Sequence, residues 1–200
     1  MEQSQTPTDA ARARILEAAI PLFNRRGLKF TMDELAASLG MSKKTIYAAF
    51  PSKEKMLEEM VDYVFDFIQR DKAAILGDDT LPYLDKLRRV LTTLTDKYES
   101  IDLRRLYDLE SRYGAVYAKV ARRLETGWEG TTALLEQGIR EGVLRPFPIP
   151  IFKLMMETTL QQFFRNDVLL RSGISYQEAL RQVVDILLRG ILSPGEELPQ

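Results

Sequence analysis

Two hundred residues, 45% hydrophobic and 28% charged, suffice for one large domain or two small ones with a real core, and a formal net charge of −1 argues against indiscriminate nucleic-acid binding. Cysteine and histidine are both absent, which excludes disulfides, thiol nucleophiles, Ser-His relays and every zinc site built on those ligands. The longest uncharged stretches, Leu35–Ser42 and Thr45–Ser52, are eight residues each, far short of the roughly 20 apolar residues of a membrane span.

Apolar residues Ile15, Leu16, Ala18, Ala19, Leu22 and Phe23 recur at helical spacing and predict a first helix over about Asp9–Arg26, with Pro21 as a kink and Gly27 as the residue beyond its end. Thr31 and Glu34 have the spacing of a capping box and open a second helix, about Met32–Leu39, which Gly40 ends. Ser42 caps a short third helix, Lys43–Phe50, and Ser52 caps a fourth that continues past residue 65. After a break at Gly77-Asp78-Asp79, the pattern predicts a fifth helix around Leu84–Leu94, a sixth over Asp102–Tyr113 and a long seventh over Ala115–Glu141, weakened near Gly127 and Gly130. Pro146, Pro148 and Pro150 mark a loop before an eighth helix, Ile151–Arg171, and a ninth, Tyr176–Leu192. Residues 193–200 read as a frayed, flexible tail. No segment alternates with the period of a strand, so the expected fold is all-α with about nine helices. Met1–Thr8 is polar and does not read as a secretory signal, so a cytoplasmic protein is expected.

Charge is unevenly spread: residues 1–55 carry a net +3 and the remainder −4. A basic head on an acidic body suits one surface that meets phosphate and another that does not. Within the head, the second helix, the turn at Gly40-Met41 and the third helix have helix-turn-helix spacing. The third helix presents Ser42, Lys43, Lys44, Thr45 and Tyr47 on one side and anchors itself by Ile46 and Phe50, an arrangement fit for a major groove.

Four blocks carry a specific resemblance. They are Ile15-Leu16 with Ala18-Ala19, Leu22-Phe23 and Gly27; Thr31-Met32-Asp33-Glu34-Leu35-Ala36; Leu39 through Tyr47; and Phe50-Pro51-Ser52-Lys53-Glu54. In this order and spacing, over about residues 12–58, the chain resembles the tetracycline-repressor (TetR) family of bacterial transcription regulators. The resemblance implies a DNA-binding domain over residues 8–69, with its helix-turn-helix at about 32–51, and a ligand-binding and dimerisation domain over 70–192. It implies phosphate contacts for Thr31, Thr45, Tyr47 and Lys53, and a groove-facing front made of Ser42, Lys43 and Lys44. Lys44 is the candidate base reader, because a lysine can donate to guanine O6 and N7, and Lys55, one turn into the fourth helix, is a further candidate. Lys44 replaces a frequent glycine and Ala49 a frequent aromatic or histidine; both are taken as DNA-facing, so no operator sequence is inherited from a relative.

The ninth helix is apolar over most of its circumference, wider than the ~100° arc of a surface helix, which suggests burial on two sides. Leu180, Val183, Val184, Leu187 and Ile191 are the candidate dimer residues, with the eighth and ninth helices of two subunits forming the four-helix interface common in the family. Phe65, Tyr107, Tyr117, Trp128, Met155 and Phe163 are candidates for an effector site, and a pocket of this composition suits a small hydrophobic or aromatic molecule. The expected function is a ligand-responsive repressor that binds a palindromic operator as a homodimer and is released by that inducer. The alternative is a nucleoid-associated or structural DNA-binding protein on the same scaffold, controlled by a protein partner or by DNA. An enzyme is not expected: Asp108 and Glu110, the nearest approach to a catalytic carboxylate pair, are two apart on a helix and do not face each other. No catalytic residue, metal or cofactor is assigned, and no membrane partner is expected.

Overall fold

The computed structural model describes residues 9–93, 109–165 and 167–198. The helices are α1 (Asp9–Arg26), α2 (Met32–Leu39), α3 (Lys43–Ala49), α4 (Lys53–Leu76), α5 (Tyr83–Thr92), α6 (Leu109–Arg112), α7 (Gly114–Glu125), α8 (Glu129–Arg140), α9 (Ile149–Arg165), α10 (Val168–Ser172) and α11 (Tyr176–Ile191). A single 3-10 turn, Gly27–Lys29, joins α1 to α2. The described residues form no strand beyond one isolated bridge between Leu144 and Leu192, so the fold is all-α.

Local chemistry fixes the amino-terminal helices. The Thr31 hydroxyl accepts from the Glu34 backbone N–H at 3.2 Å while Glu34 Oε2 accepts from the Thr31 N–H at 2.8 Å, a reciprocal cap. That backbone donor, ahead of the Arg26 guanidinium, holds the Glu34 carboxyl below its ordinary range. Gly40 ends α2 at φ +62°, a left-handed conformation that glycine adopts without strain. Ser42, Ser52 and Ser175 each accept from the N–H three residues on, at 3.1 Å, and open α3, α4 and α11.

The apolar face of α1 (Ile15, Leu16, Ala19, Phe23) meets Leu35, Ile46, Phe50, Met56 and Leu57, all buried. Burying each large side chain contributes about 1.5–3 kcal/mol. The long α4 packs on α1 at one end and on α5 and α7 beyond, so it runs from the head into the body. There the core is Leu87, Leu91, Val116, Val120, Leu135, Phe152, Met156, Leu180, Val184 and Leu188.

Three sequence expectations are corrected. The single helix over 115–141 is two, α7 and α8, broken at Thr126–Trp128 where Gly127 takes φ +72°. The helix over 151–171 likewise ends at Arg165 and is followed by the separate α10. Of the predicted sixth helix, residues 102–108 lie outside the described residues. The tail is pinned rather than frayed through Leu198: Ser193 N–H donates to Val143 O at 3.0 Å, Arg145 N–H to Ile191 O at 2.9 Å, and the Leu198 side chain, 8% exposed, joins the core.

Candidate nucleic-acid interface and internal cavity

Helix α3 is two-faced. Ile46, Ala49 and Phe50 are buried, whereas Ser42, Lys43, Lys44, Thr45 and Tyr47 are exposed, Tyr47 to 46%. Ala49, expected to face DNA, instead packs inward at 2% exposure, because it lies three residues after Ile46 on the anchoring side. The Ser42 and Thr45 hydroxyls are 2.8 Å apart, and Lys43 Nζ reaches Asp33 on α2 at 2.5 Å. The Asp33 hydrogen bond raises the Lys43 ammonium above its ordinary range. Thr31 is exposed at the head of α2. Lys55 is paired with Glu58 at 2.9 Å within α4, a bond that likewise raises it. Lys44 forms no hydrogen bond or ion pair among the described residues, so of the three front residues it is the one whose donor is free to read a base.

Lys53 points inward. Its ammonium donates to Leu28 O and Phe30 O, each at 2.5 Å, and lies 4.2 Å from the centre of the Phe30 ring. Burial, helped by Arg112, pushes it down to about 8 against the pull of Glu34. In this geometry Lys53 fastens the start of α4 to the α1–α2 connection and does not present its charge for a phosphate.

Arg12, which sequence reasoning missed, closes the head. Its guanidinium donates to Ala49 O at 2.5 Å, in the last turn of α3, pairs with Glu59 on α4 and lies 4.6 Å from the Phe50 ring centre. One side chain thus ties α1, α3 and α4 together, and no local spacing announces it because its partners are 37 and 47 residues away.

In the body, a cavity of about 150 Å³ is lined along α4 by Leu57, Met60, Val61, Val64, Phe65, Ile68, Gln69 and Lys72, with Val116, Val120, Arg123 and Leu124 of α7, Trp128, and Met156, Tyr176 and Leu180 opposite. Of the six candidate effector-site residues, Phe65 and Trp128 line this cavity. Met155 does not: it is 50% exposed, and its neighbour Met156, about 100° round the helix, lines the cavity instead. Phe163 packs edge-on against Tyr176 at 5.8 Å and Tyr117 is partly buried, neither on the cavity wall. Tyr107 lies outside the described residues. The Trp128 indole N–H donates to Leu124 O at 2.9 Å. Burial raises the Tyr176 hydroxyl above its ordinary range. Across the α4–α7 contact, Lys119 pairs with Asp62 at 2.5 Å and Arg123 with Asp66 at 2.6 Å.

The wide apolar arc of α11 divides. Leu180, Val184 and Ile191, expected at a dimer interface, face the chain's own core, Val184 at 0% exposure, because they fall with Leu188 on the side toward α5 and α9. Val183 and Leu187 are half-buried, and Ile186 is 68% exposed. Ile151, Leu154 and Met155 are exposed on α9. No helix of the described residues is long and apolar enough to cross a membrane.

Residues 15–60 match the sequence profile of the bacterial regulatory proteins, tetR family. Over 92% of its length the chain is 26% identical to the HTH-type transcriptional regulator YvaF of Bacillus subtilis (strain 168), of which 96% is covered. It is 27% identical to the nucleoid occlusion factor SlmA of Shewanella woodyi over 68% of this chain and 72% of that one. Among solved structures, the TetR family transcriptional regulator PfmR of Thermus thermophilus superposes with a TM-score of 0.61 at 25% identity, covering 88% of this chain and 97% of its own.

Proposed function

The chain belongs to the TetR family of bacterial regulatory proteins, DNA-binding transcriptional regulators, and from that premise we propose that it is a cytoplasmic repressor that binds a palindromic operator as a homodimer and releases it when a small hydrophobic or aromatic molecule enters the body cavity. In this reading residues 8–69 form the DNA-binding unit and 70–192 the ligand-binding and dimerisation unit. Thr31, Thr45 and Tyr47 hold phosphates and fix register; Ser42, Lys43 and above all Lys44 face base edges. The protein acts by binding rather than by catalysis.

One observation carries the proposal. Helix α4 starts at Lys53, directly after the recognition helix, and lines the cavity along Val61, Val64, Phe65 and Ile68. One element therefore reaches both sites, and Arg12 holds its near end to the recognition helix through Glu59 and Ala49. A ligand that tilts α4 changes the separation of two recognition helices that must meet half-sites about one helical turn apart. A coupling of about 1–3 kcal/mol gives a ~5–150-fold loss of operator affinity.

The exposed apolar side chains Ile151, Leu154 and Met155 of α9, with Ile186 and the half-buried Val183 and Leu187 of α11, support a two-fold interface between these helices of two subunits. The similarity to a nucleoid occlusion factor supports a second reading, a nucleoid-associated protein on the same scaffold under the control of a protein partner or DNA. The test is to select operator sequences from a random pool, screen small apolar molecules for release, and measure ligand affinity by calorimetry with and without operator. Coupling is reciprocal, so operator weakens ligand binding by the factor by which ligand weakens operator binding. Equal ligand affinities in the two titrations overturn the inducer mechanism and favour the second reading.

A further inference from the structure

The cations at or near the Trp128 end of the cavity, Arg123 and Lys72 on its wall and Lys153 5.9 Å from the Trp128 ring centre, are not equivalent. Arg123 is neutralised by Asp66 at 2.6 Å, with Asp62 at 3.9 Å, and Lys153 by Glu157 at 3.5 Å and the Glu125 carbonyl at 3.2 Å. Lys72, on the wall of the cavity, has only the face of Trp128, 5.8 Å from its ammonium, and no carboxylate or carbonyl acceptor among the described residues. Its surroundings are desolvated enough to pull the ammonium below its ordinary range. Lys72 is half-buried, and a cation partly withdrawn from water with no acceptor is costly and is ordinarily replaced or partnered.

The wall around it is shaped for a small guest. Gln69, one turn before Lys72, lies with its side-chain amide against Gly127, whose backbone stands at φ +72°, and Trp128 follows. The break between α7 and α8 therefore brings an amide, an ammonium and an indole to one end of a pocket whose other lining residues are mainly apolar, Val64, Phe65 and Leu160 among them. A cavity of about 150 Å³ is the size that takes a benzene ring.

We propose that the effector is a small organic carboxylate with an aromatic or short aliphatic body, its carboxylate paired with Lys72 beside Trp128 and its body in the apolar part of the cavity. This rests on the ligand-responsive reading above and narrows it to a chemical class. It also gives the ligand a grip on α4 itself: the ion pair forms on the helix that leads to the recognition helix, and binding draws the distal half of α4 toward the α7–α8 turn.

The test uses the full-length protein at neutral pH with benzoate and hexanoate as probes and benzyl alcohol and hexan-1-ol as their uncharged counterparts. Trp128 is the sole tryptophan, so its fluorescence reports occupancy of this cavity rather than of another site, and calorimetry gives the affinities. The expected result is that each carboxylate binds at least tenfold more tightly than its alcohol, that Lys72→Met abolishes this preference while leaving alcohol affinity within about threefold, and that Lys72→Arg keeps it. Alcohols that bind as well as the acids overturn the proposal and leave the ligand-responsive reading standing. A preference that survives in Lys72→Met overturns the assignment to Lys72. If neither class perturbs Trp128 at millimolar concentration, the carboxylate proposal fails, while the inducer reading is decided by the wider ligand screen and the titrations with and without operator. Should Lys72→Met not fold, Lys72→Gln and the wild-type acid-to-alcohol ratio decide the matter.

Discussion

Arg12→Met removes a clamp without emptying the space under it, since the methionine keeps the apolar stem over Phe50. Ala49 O belongs to the last turn of α3, where carbonyls lack helical partners, and the guanidinium donates to it at 2.5 Å. A charged hydrogen bond of this kind contributes about 1.5–3 kcal/mol. The stacking on Phe50, 4.6 Å from the ring centre, adds about 0.5–1 kcal/mol, and the pair with Glu59, whose side chain is 40% exposed, adds ~0.2–1 kcal/mol. The expected loss is about 2–5 kcal/mol, read as a lower midpoint in urea by far-ultraviolet circular dichroism at fixed protein concentration. Glu59→Gln should cost less than about 1 kcal/mol, and Arg12→Lys should fall between, since an ammonium lacks the planar fork. Operator affinity should fall for all sequences alike, because the end of α3 loses its anchor while its DNA-facing side chains are untouched. A loss under about 0.5 kcal/mol, or an equal loss in Glu59→Gln, would show that the bond to Ala49 O contributes nothing that water does not replace.

Lys44→Ala should alter discrimination at one or two base positions by about 1–3 kcal/mol in an operator-library titration, while Tyr47→Phe weakens all sequences evenly; a uniform loss for Lys44→Ala refutes base reading. Ile186→Glu should yield folded monomers in sedimentation, whereas Val184→Glu, at a position with 0% exposure, should fail to fold; a stable dimer in Ile186→Glu removes α11 from the interface. Lys53 is pushed to about 8 from an ordinary 10.5, so the unfolded chain holds the extra proton between those values and stability rises with pH across that window. Discounted for its partial exposure, the gain of wild type over Lys53→Met between about pH 7 and 10.5 is about 1–2 kcal/mol, and a pH-independent difference refutes it.

Much of the head is legible in the sequence because its signals are local. Thr31 with Glu34, Ser42, Ser52 and Gly40 act within four residues of their own position, and each forms the cap or turn that its spacing announces. The body is less legible because its decisive contacts are distant. Gly127 and Gly130 read as weak points within one helix, whereas in the fold the left-handed backbone at Gly127, with Gln69 of α4 packed against it, divides that stretch in two. Apolar periodicity locates the interior side of α9 to within one residue, but a shift of one residue rotates a side chain by about 100°, which separates buried Met156 from exposed Met155. The same limit applies on α11, where composition does not divide Val184 from Ile186. Lys53 resembles a phosphate ligand by position, and only the approach of two carbonyls from the α1–α2 connection reveals the inward turn.

The ladder of Lys119 with Asp62 and Arg123 with Asp66 is a partly exposed contact made of charges. Its strength therefore depends on ionic strength, with a Debye length of about 8 Å under physiological conditions. Operator binding has its own salt dependence, because each neutralised phosphate releases counterions, with a slope of about −0.9 per phosphate. In this protein the two superpose: added salt competes for the DNA and at the same time loosens the hold of α7 on α4, the helix that orients the recognition helix. A phosphate count taken from the slope of an operator titration thus includes a contribution that no phosphate makes, and Asp62→Asn with Asp66→Asn strips it out.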